Sequence, residues 1–272
     1  MRVYTLKETV VEAAETLRLF SDEPALYYPT GLAPIDDTLG GLFPGQIAIL
    51  AADTGVGKSR LVLGACIASP TPSGILCFED GPETMGARAL AGCAKVDSRR
   101  MLRKHLDPLY PQEVGAIEQA FRDFPEDNIR VVFPKSRNLD GLRKGVEALC
   151  ASGSKVIWFD YIQKLGGSGM DRRGEIDTFF RTFHESCDEA GVAGIVISQF
   201  KRREPRKGGS LPEPQLNDLK ESGDLENAAR FVVLCWADES MGTVNARVAK
   251  STFGGGRRYY YRTAPSGMLE EI

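Results

Sequence analysis

Hydrophobic positions along this chain follow two distinct patterns. In residues 5–20 the apolar side chains are three or four positions apart, with polar and acidic residues between them, and this spacing predicts a helix. From residue 45 onward, short apolar runs rich in β-branched and aromatic residues alternate with longer stretches of helical periodicity. Strands that alternate with helices form βαβ units. The pattern therefore predicts an α/β fold with a mostly parallel, twisted sheet and helices on both faces.

The same patterns give approximate boundaries for the predicted elements. Two prolines in residues 21–31 indicate a connector between the first helix and the first strand. The predicted strands occupy residues 46–52, 74–79, 129–134, 155–160, 192–199, 231–237 and 244–251, and the predicted helices occupy 58–68, 82–95, 111–124, 139–151 and 176–190.

Composition and charge narrow the class of protein. No apolar run approaches the roughly 20 residues that a membrane span needs, and the N-terminus lacks the apolar core of a signal peptide. Six scattered cysteines and two histidines argue against structural zinc and favour a reducing, cytoplasmic setting. The net charge of −3 argues against a broadly basic surface, but residues 201–207 carry five basic side chains and one acidic side chain. Most such runs are solvated loops.

A phosphate-binding turn is predicted where a glycine-rich segment joins an apolar run to a helix. Residues 52–59 read Ala-Asp-Thr-Gly-Val-Gly-Lys-Ser, which is a P-loop with alanine in place of its first glycine. The glycines let backbone N–H groups turn toward phosphates, the lysine reaches the β- and γ-phosphates, and the serine can ligate Mg²⁺. The simpler alternative is a chance Gly-Lys-Ser turn. The predicted ATP-binding residues are Ala52, Asp53, Thr54, Gly55, Val56, Gly57, Lys58, Ser59 and Arg60.

Three polar residues end predicted strands and should lie near this turn. Asp160 follows a buried apolar run and fits a residue that holds Mg²⁺ through its waters. Glu79 ends another predicted strand, where a carboxylate can orient the attacking water. Gln199 ends a third and could sense the γ-phosphate. Each residue also has a simpler interpretation, as a polar group that closes a strand or a turn.

Taken together, these segments resemble the C-terminal motor domain of DnaB-type replicative helicases, within the RecA-like superfamily of P-loop ATPases. Residues 30–42 look like the segment that precedes the family's first core strand, and alanine at the first P-loop position is a habit of the family. The further matches are Arg88 nine residues after Glu79, the box Asp160-Tyr-Ile-Gln163, the pair Ser198-Gln199 and, most specific, residues 218–229, which read Asp-Leu-Lys-Glu-Ser-Gly-Asp-Leu-Glu-Asn-Ala-Ala.

The resemblance covers residues 5 to about 263 and implies an ATP-dependent DNA helicase that forms a hexameric ring with ATP at each subunit interface. Residues 1–28 would be a linker helix and connector that dock on a neighbouring subunit, and residues 29–272 would be the RecA-like ATPase domain. Read alone, the helix could equally pack on its own domain. The implied catalytic residues are Glu79, Lys58, Gln199, Arg88 and, from a neighbouring subunit, Lys250, and the implied Mg²⁺ ligands are Ser59 and Asp160.

The resemblance also implies single-stranded DNA in the central channel of the ring. Two loops, 165–174 and 200–223, should face that channel, and the basic run 201–207 lies in the second. Cationic side chains and backbone N–H groups bind phosphates without reading sequence, which suits a translocating motor. The implied DNA-binding residues are Arg172, Arg173, Lys201, Arg202, Arg203, Lys220, Glu221 and Gly223.

The sequence departs from the family's pattern in three respects. The family's primase-binding N-terminal domain is absent from this chain, so no loader or primase is implied, and the short chain fits a viral or mobile-element helicase. The family's closing segment reads Ala-Lys-x-Arg-Asn-Gly, whereas here Thr252 stands where the arginine finger is expected. Arg257 or Arg258, from the glycine-rich turn that follows, could substitute for that finger, and the alternative is that this turn is a plain hairpin tip. Two rival functions stay open: a RecA/KaiC-like ATPase that binds DNA or protein without unwinding, and an accessory ring with little turnover.

Overall fold

A computed structural model describes residues 5–16, 18, 26–124, 128–166, 172–201, 203, 211–219, 229–238, 241–252, 254, 256–264 and 266–272. Within these residues the strands are β1 (Ile47–Ala52), β2 (Ser73–Cys77), β3 (Ile129–Val132), β4 (Val156–Asp160), β5 (Ala193–Gln199), β6 (Phe231–Asp238), β7 (Thr243–Lys250), β8 (Arg258–Thr263) and β9 (Leu269–Glu271). They form one sheet in the order β3-β2-β4-β5-β1-β6-β7-β8-β9.

The helices of the described residues connect these strands and cover the sheet. They are α1 (Leu6–Thr16), α2 (Ala33–Leu39), α3 (Lys58–Ala68), α4 (Pro82–Ala94), α5 (Ser98–Leu102), α6 (Pro111–Arg122), α7 (Leu139–Ala151) and α8 (Arg172–Ala190). None of the helices in this part of the chain combines the length and the apolar character needed to cross a lipid bilayer.

The sheet has a parallel part and an antiparallel part. Every pairing from β3 to β6 is parallel, and the pairings from β6 to β9 are antiparallel. The predicted α/β fold with a mostly parallel sheet is therefore confirmed. The strands β8 and β9 and the short helices α2 and α5 were missed. In β8 the signal was present, because buried Tyr259 and Tyr261 alternate with exposed residues.

Two apolar cores lie on opposite faces of the sheet, because successive side chains of a strand point in opposite directions. The core on one face contains buried residues of α2, α3 and α4, and the core on the other contains residues of α7 and α8. The strand β1 contributes to both. Ala48, Leu50 and Ala52 lie in the first core, and Ile47, Ile49 and Ala51 lie in the second. A strand that is buried on both faces shows a continuous apolar run, which is why β1 was easy to predict.

Some element boundaries differ from the predicted ones. The strand β2 ends at Cys77, so Glu79 lies two residues beyond it rather than at its end. The helix predicted from residue 176 begins at Arg172, which places Arg172 and Arg173 in the first turn of α8 rather than in a loop. Polar residues at the start of α8 hide its helical periodicity.

The N-terminal helix α1 presents apolar side chains to solvent. Leu6 is 81% exposed, Val10 is 59% exposed and Val11 is 49% exposed. An amphipathic helix is normally stabilised by burying its apolar face. The face of α1 that carries these residues is therefore not covered by the described residues of its own chain.

Candidate functional site

The carboxyl ends of four neighbouring strands meet at one edge of the sheet. At the end of β1, Ala52 pairs with Gln199 of β5, and at the end of β2, Cys77 pairs with Asp160 of β4. Open α/β sheets bind their ligands beyond this edge. An open cleft of about 230 Å³ lies there. Its lining residues are Thr54, Gly55, Gly57, Lys58, Ser59, Arg60, Glu79, Asp80, Arg88 and Gln199.

The segment between β1 and α3 forms the turn on the floor of the cleft. Gly55 and Gly57 have φ angles of 87° and 95°, in the left-handed region where a side chain would be strained. Gly57 is the N-cap of α3, so the first N–H groups of that helix point toward the cleft. Backbone donors and a helix N-terminus at the same place form an anion site, which suits a phosphate chain.

Lys58 lies at the first position of α3 and is only 8% exposed. Its Nζ donates a hydrogen bond of 3.1 Å to the backbone oxygen of Asp53. Burial lowers the pKa of Lys58, while the nearby carboxylates of Asp160, Glu79 and Asp53 raise it. Such a buried ammonium group can bind a ligand that carries more negative charge than these neighbouring carboxylates.

Asp160, the last residue of β4, is fully buried. Burial raises its pKa to about 6, and Glu79 and Asp80 add to that increase, while the Ser59 hydroxyl and Lys58 oppose it. No hydrogen bond of normal geometry reaches either carboxylate oxygen from the described residues. A buried carboxylate without such partners is costly unless a cation or a proton compensates it.

This arrangement fits a hydrated magnesium ion. Mg²⁺ prefers oxygen ligands and usually keeps several of its waters, so one carboxylate and one hydroxyl are enough protein ligands. Asp160 and Ser59 supply these two groups at the mouth of the phosphate-binding turn. The unmet hydrogen-bonding capacity of Asp160 is the feature that a metal with bound waters would satisfy.

Acidic and basic groups follow β2 on the opposite wall of the cleft. The side chain of Glu79 is 36% exposed, and its Oε1 lies 3.7 Å from Nζ of Lys164. The adjacent Asp80 forms an ion pair with Arg88 of α4. Asp80 was not among the predicted residues, although its position beside Glu79 could have indicated it. The ion pair with Asp80 fixes Arg88 at the cleft, where the resemblance to the family predicts that Arg88 acts.

Gln199 reaches the cleft from the end of β5 and is held by a neighbouring glutamine. Its backbone N–H donates to Oε1 of Gln163 over 3.3 Å, while Nε2 of Gln163 donates to the Ser198 hydroxyl over 2.9 Å. Gln163 was not among the predicted site residues. Gln163 belongs to the segment Asp160-Tyr-Ile-Gln163, which is similar to a segment of the family, and this similarity could have indicated it.

The residues predicted to act in the site of a neighbouring subunit lie outside the cleft of their own chain. Lys250 is the last residue of β7 and does not line the cleft of its own chain. Arg257 forms a 3.0 Å ion pair with Asp37, and Arg258 forms a 2.7 Å ion pair with Glu213. Both arginines remain more than half exposed. The structure therefore does not bring Lys250, Arg257 or Arg258 to the nucleotide cleft of the same chain.

The implied DNA-binding residues divide into three groups. Arg173 and Lys201 are exposed. Arg203 is not: its side chain is 3% exposed and forms an ion pair with Asp53 of the phosphate-binding turn. This placement corrects the expectation that Arg203 lies on an open, DNA-facing loop. The side chain of Arg172 and the residues Arg202, Lys220, Glu221 and Gly223 lie outside what the structure describes.

Comparison with known proteins identifies the family. The model of the DnaB-like helicase C-terminal domain matches residues 28–254. This chain belongs to that family. The replicative DNA helicase DnaB of Leifsonia xyli subsp. xyli is 28% identical over 234 residues, which make up 82% of this chain and 49% of that protein. The chain thus spans about half the length of this curated DnaB relative.

Solved structures show the same DnaB-like fold. "ATPase Domain of G40P" has a TM-score of 0.84 at 19% identity, and the match covers 100% of both chains. "The Structure Of A DnaB-Like Replicative Helicase And Its Interactions With Primase" has a TM-score of 0.80 at 19% identity, covering 98% of this chain and 67% of that one. At these identities the likeness shows the fold alone. The resemblance inferred from the sequence is confirmed at the level of family and fold.

Proposed function

We propose that this DnaB-like chain is the ATP-dependent motor of a ring-forming DNA helicase, which translocates on single-stranded DNA during replication. The observation that carries the proposal is the meeting of Lys58, Ser59, Glu79, Asp160 and Gln199 around the ends of four adjacent strands. A phosphate-binding turn, a metal-binding carboxylate and a second carboxylate are the parts that ATP hydrolysis needs. Membership of the DnaB-like family supports the same reaction.

In this mechanism the phosphate-binding turn holds the triphosphate before any bond breaks. Backbone N–H groups around Gly55 and Gly57 and the ammonium group of Lys58 bind the β- and γ-phosphate oxygens. Burial of Lys58 excludes water and so strengthens its attraction for the charge that develops on those oxygens. Ser59 and Asp160 are the residues that would hold Mg²⁺, which when bound would supply positive charge to offset part of the same negative charge.

Glu79 and Gln199 act on the γ-phosphate from the other side of the cleft. The Glu79 carboxylate orients a water molecule for attack on phosphorus and accepts hydrogen bonds from it. Its partial exposure leaves room for that water. Gln199 contacts the γ-phosphate from β5, whose next residues lead directly into the loop that begins at residue 200. Loss of the γ-phosphate is thereby transmitted through Gln199 to that loop.

Completion of the site requires a second subunit. In the proposed hexamer, Lys250 reaches the γ-phosphate bound by the neighbouring chain, and α1 docks its exposed apolar face on that neighbour. The exposure of Leu6 and Val10 supports this role for the N-terminal 28 residues. Arg257 or Arg258 takes the part of the missing finger arginine, because both are exposed near the end of β7.

Single-stranded DNA would bind in the channel of this ring. Arg172 and Arg173 at the start of α8, together with the loop 200–223, supply the phosphate contacts. The proposed contacts in that loop are Lys201, Arg202, Lys220, Glu221 and Gly223. Such contacts depend strongly on salt, because each neutralised phosphate releases counterions.

The decisive experiment measures ATP turnover with and without single-stranded DNA over a range of salt concentrations. We expect stimulation by DNA at low salt and no turnover in Lys58→Ala, because the triphosphate loses its buried cation. Lys144→Ala, which removes an exposed lysine of α7, serves as the matched control and should retain wild-type turnover. Absence of stimulation at every salt concentration, or normal turnover in Lys58→Ala, would contradict the proposal.

One observation favours a second candidate, an accessory ring that binds ATP but turns it over slowly. Thr252 lacks the positive charge that an arginine finger supplies, and such a finger typically accelerates phosphoryl transfer by about 10³–10⁵. The two candidate functions differ in the rate of ATP hydrolysis that they predict. A wild-type chain that binds ATP and DNA with negligible turnover would support the accessory ring.

A further inference from the structure

Within the basic run 201–207 the structure describes two residues, of which Lys201 is exposed and Arg203 has a buried side chain. The contacts of Arg203 fix this side chain in one orientation. Its NH2 group pairs with Oδ2 of Asp53, and its Nε donates to Oδ1 of the same carboxylate over 3.3 Å. Its NH1 group donates to the backbone oxygen of Pro212. The guanidinium also lies 5.3 Å from the ring centre of Phe200. A planar fork that contacts one carboxylate twice and a carbonyl once gives a defined geometry, which a flexible point charge would not.

At one end, these contacts lead to the ATP-binding residues. Asp53 follows the last residue of β1, and its side chain lies on Arg203 while its backbone oxygen accepts the hydrogen bond from Lys58. A shift of the Asp53 backbone would therefore move an acceptor of the lysine that binds phosphate. Lys58 and Arg203 are thus connected through a single residue.

At the other end, the contacts lead to the hairpin of β7 and β8. Pro212, which accepts from Arg203, precedes Glu213, whose two carboxylate oxygens pair with Arg247 of β7 and Arg258 of β8 over 2.8 and 2.7 Å. Arg247 also donates to the backbone oxygen of Pro214 over 3.1 Å. Residues 212–214 are therefore held between the phosphate-binding turn and the two strands.

We propose that Arg203 is a positioning residue that couples the phosphate-binding turn to the loop after β5, so that nucleotide and single-stranded DNA change each other's affinity through the Asp53–Arg203 pair. The inference rests on the proposed function, since it takes DNA to bind the same loop. It differs from the predicted role of Arg203 as a direct DNA contact. Arg203 acts by holding the loop, and its own cationic group is occupied by Asp53 and Pro212.

The coupling follows from linkage. If DNA binding displaces the loop that carries Arg203, the ion pair transmits that displacement to Asp53 and hence to the acceptor of Lys58. A ligand that changes the affinity of a second ligand is itself affected by the same factor. The Asp53–Arg203 pair is largely removed from water. Water molecules therefore cannot readily replace its hydrogen bonds when the loop moves.

The test measures the affinity of the full chain for a fluorescent, non-hydrolysable ATP analogue with Mg²⁺, in the absence and presence of saturating oligo-dT. In the wild type we expect DNA to change the dissociation constant by roughly 5- to 150-fold, the usual range for coupled sites. In Arg203→Ala the change should fall below about twofold. Lys201→Ala, which removes an exposed cation from the same loop, is the matched control and should weaken DNA binding while preserving the wild-type ratio at saturation.

Arg203→Lys gives a second variant that keeps the charge and is less disruptive to folding. A lysine ammonium cannot contact Asp53 twice and Pro212 at once, so this variant should also lose most of the coupling. Wild-type coupling in either Arg203 variant would overturn the positioning role while leaving the helicase proposal intact. A wild-type chain that neither binds oligo-dT nor hydrolyses ATP faster in its presence would instead overturn the proposed function, and the coupling with it.

Discussion

At the scale of single residues, Asp160 combines two demands that conflict in the metal-free protein. Its carboxylate must be charged to hold Mg²⁺, yet it lies fully buried beside Glu79 and Asp80, and burial raises its pKa to about 6. In the unfolded chain the same group has its ordinary pKa of 3.8. The folded protein therefore binds a proton that the unfolded chain releases over this interval of pH. The burial of a carboxylate at the proposed metal site therefore costs the metal-free protein stability as pH rises.

This conflict predicts the pH dependence of folding in the metal-free protein. Where the folded state binds more protons, the free energy of unfolding falls as pH rises, by about 1.4 kcal/mol for each pH unit between the two pKa values. Between about pH 4 and about pH 7, the wild type should lose on the order of 2 kcal/mol relative to Asp160→Asn, measured by urea unfolding. Parallel pH profiles for the two proteins would mean that Asp160 titrates normally.

Glu79 provides a second prediction at this scale. Glu79→Gln removes the carboxylate that we propose orients water but keeps the shape of the side chain, so kcat should fall by about 10²–10⁴ while ATP affinity changes little. Glu83→Gln, an exposed residue in the first turn of α4, is the matched control and should behave like the wild type. Steady-state turnover and equilibrium binding of ATP measure the two quantities. Weak binding in Glu79→Gln would indicate a structural role.

At the scale of elements, the close approach of α8 to the sheet depends on a glycine in β5. A Cβ atom at Gly194 would lie 2.4 Å from Cδ1 of Ile47 and 2.6 Å from Cε1 of Phe183. Such distances are too short for carbon atoms, so any larger residue must displace the buried side chains of Ile47 and Phe183. Gly194 pairs with Ile47 in the same two strands whose ends carry Gln199 and lead into the proposed phosphate-binding turn.

A pair of glycine substitutions tests this packing. Gly194→Ala should destabilise the protein by about 1–3 kcal/mol, the usual cost of overpacking a core. Gly115→Ala is the counterpart, since Gly115 is exposed on α6 and nothing lies within 4 Å of an added Cβ. There the alanine should stabilise by about 0.5–1 kcal/mol, because it reduces the freedom of the unfolded chain. Urea unfolding measures both, and equal effects at the two positions would contradict the packing argument.

At the scale of the whole molecule, α1 and the nucleotide cleft both point to association between copies of the chain. The apolar side chains of Leu6 and Val10 are exposed, and Lys250 lies away from the cleft of its own chain. Burying apolar area between subunits would stabilise a ring, and the same ring would bring Lys250 to a neighbouring cleft. One assembly thus accounts for both features.

The mass of the particle in solution tests this association. With ATP and single-stranded DNA present, we expect a mass of about six times that of one chain, as a closed ring requires. Val10→Glu should shift the mass toward the monomer by placing a charge on the contact, yet leave the monomer's unfolding unchanged, because Val10 is exposed there. A monomer under all conditions would exclude the ring.

Local order along the chain was enough to predict the α/β fold and the family and to locate the proposed phosphate-binding turn, because each depends mainly on residues that are close together in the sequence. A strand buried on both faces is an unbroken apolar run, as in β1, and Gly55, Gly57 and Lys58 must be close neighbours for the turn to form. The positions of Asp160 and Gln199 followed as well, since polar residues that end parallel strands meet at one edge.

Contacts between distant parts of the chain become visible only in the folded molecule. The pair between Asp53 and Arg203 joins residues 150 positions apart, and no spacing in the sequence indicates it. From the sequence alone, a basic run is expected to be solvated. Only the folded structure shows that a carboxylate from another element pairs with one of its members. Likewise, the pKa of Asp160 is raised by its burial and, to a smaller extent, by the charges of Glu79 and Asp80, and a strand pattern in the sequence measures neither effect. Charge compensation and burial are properties of the folded chain, and they determine which cations remain available for the proposed DNA contacts.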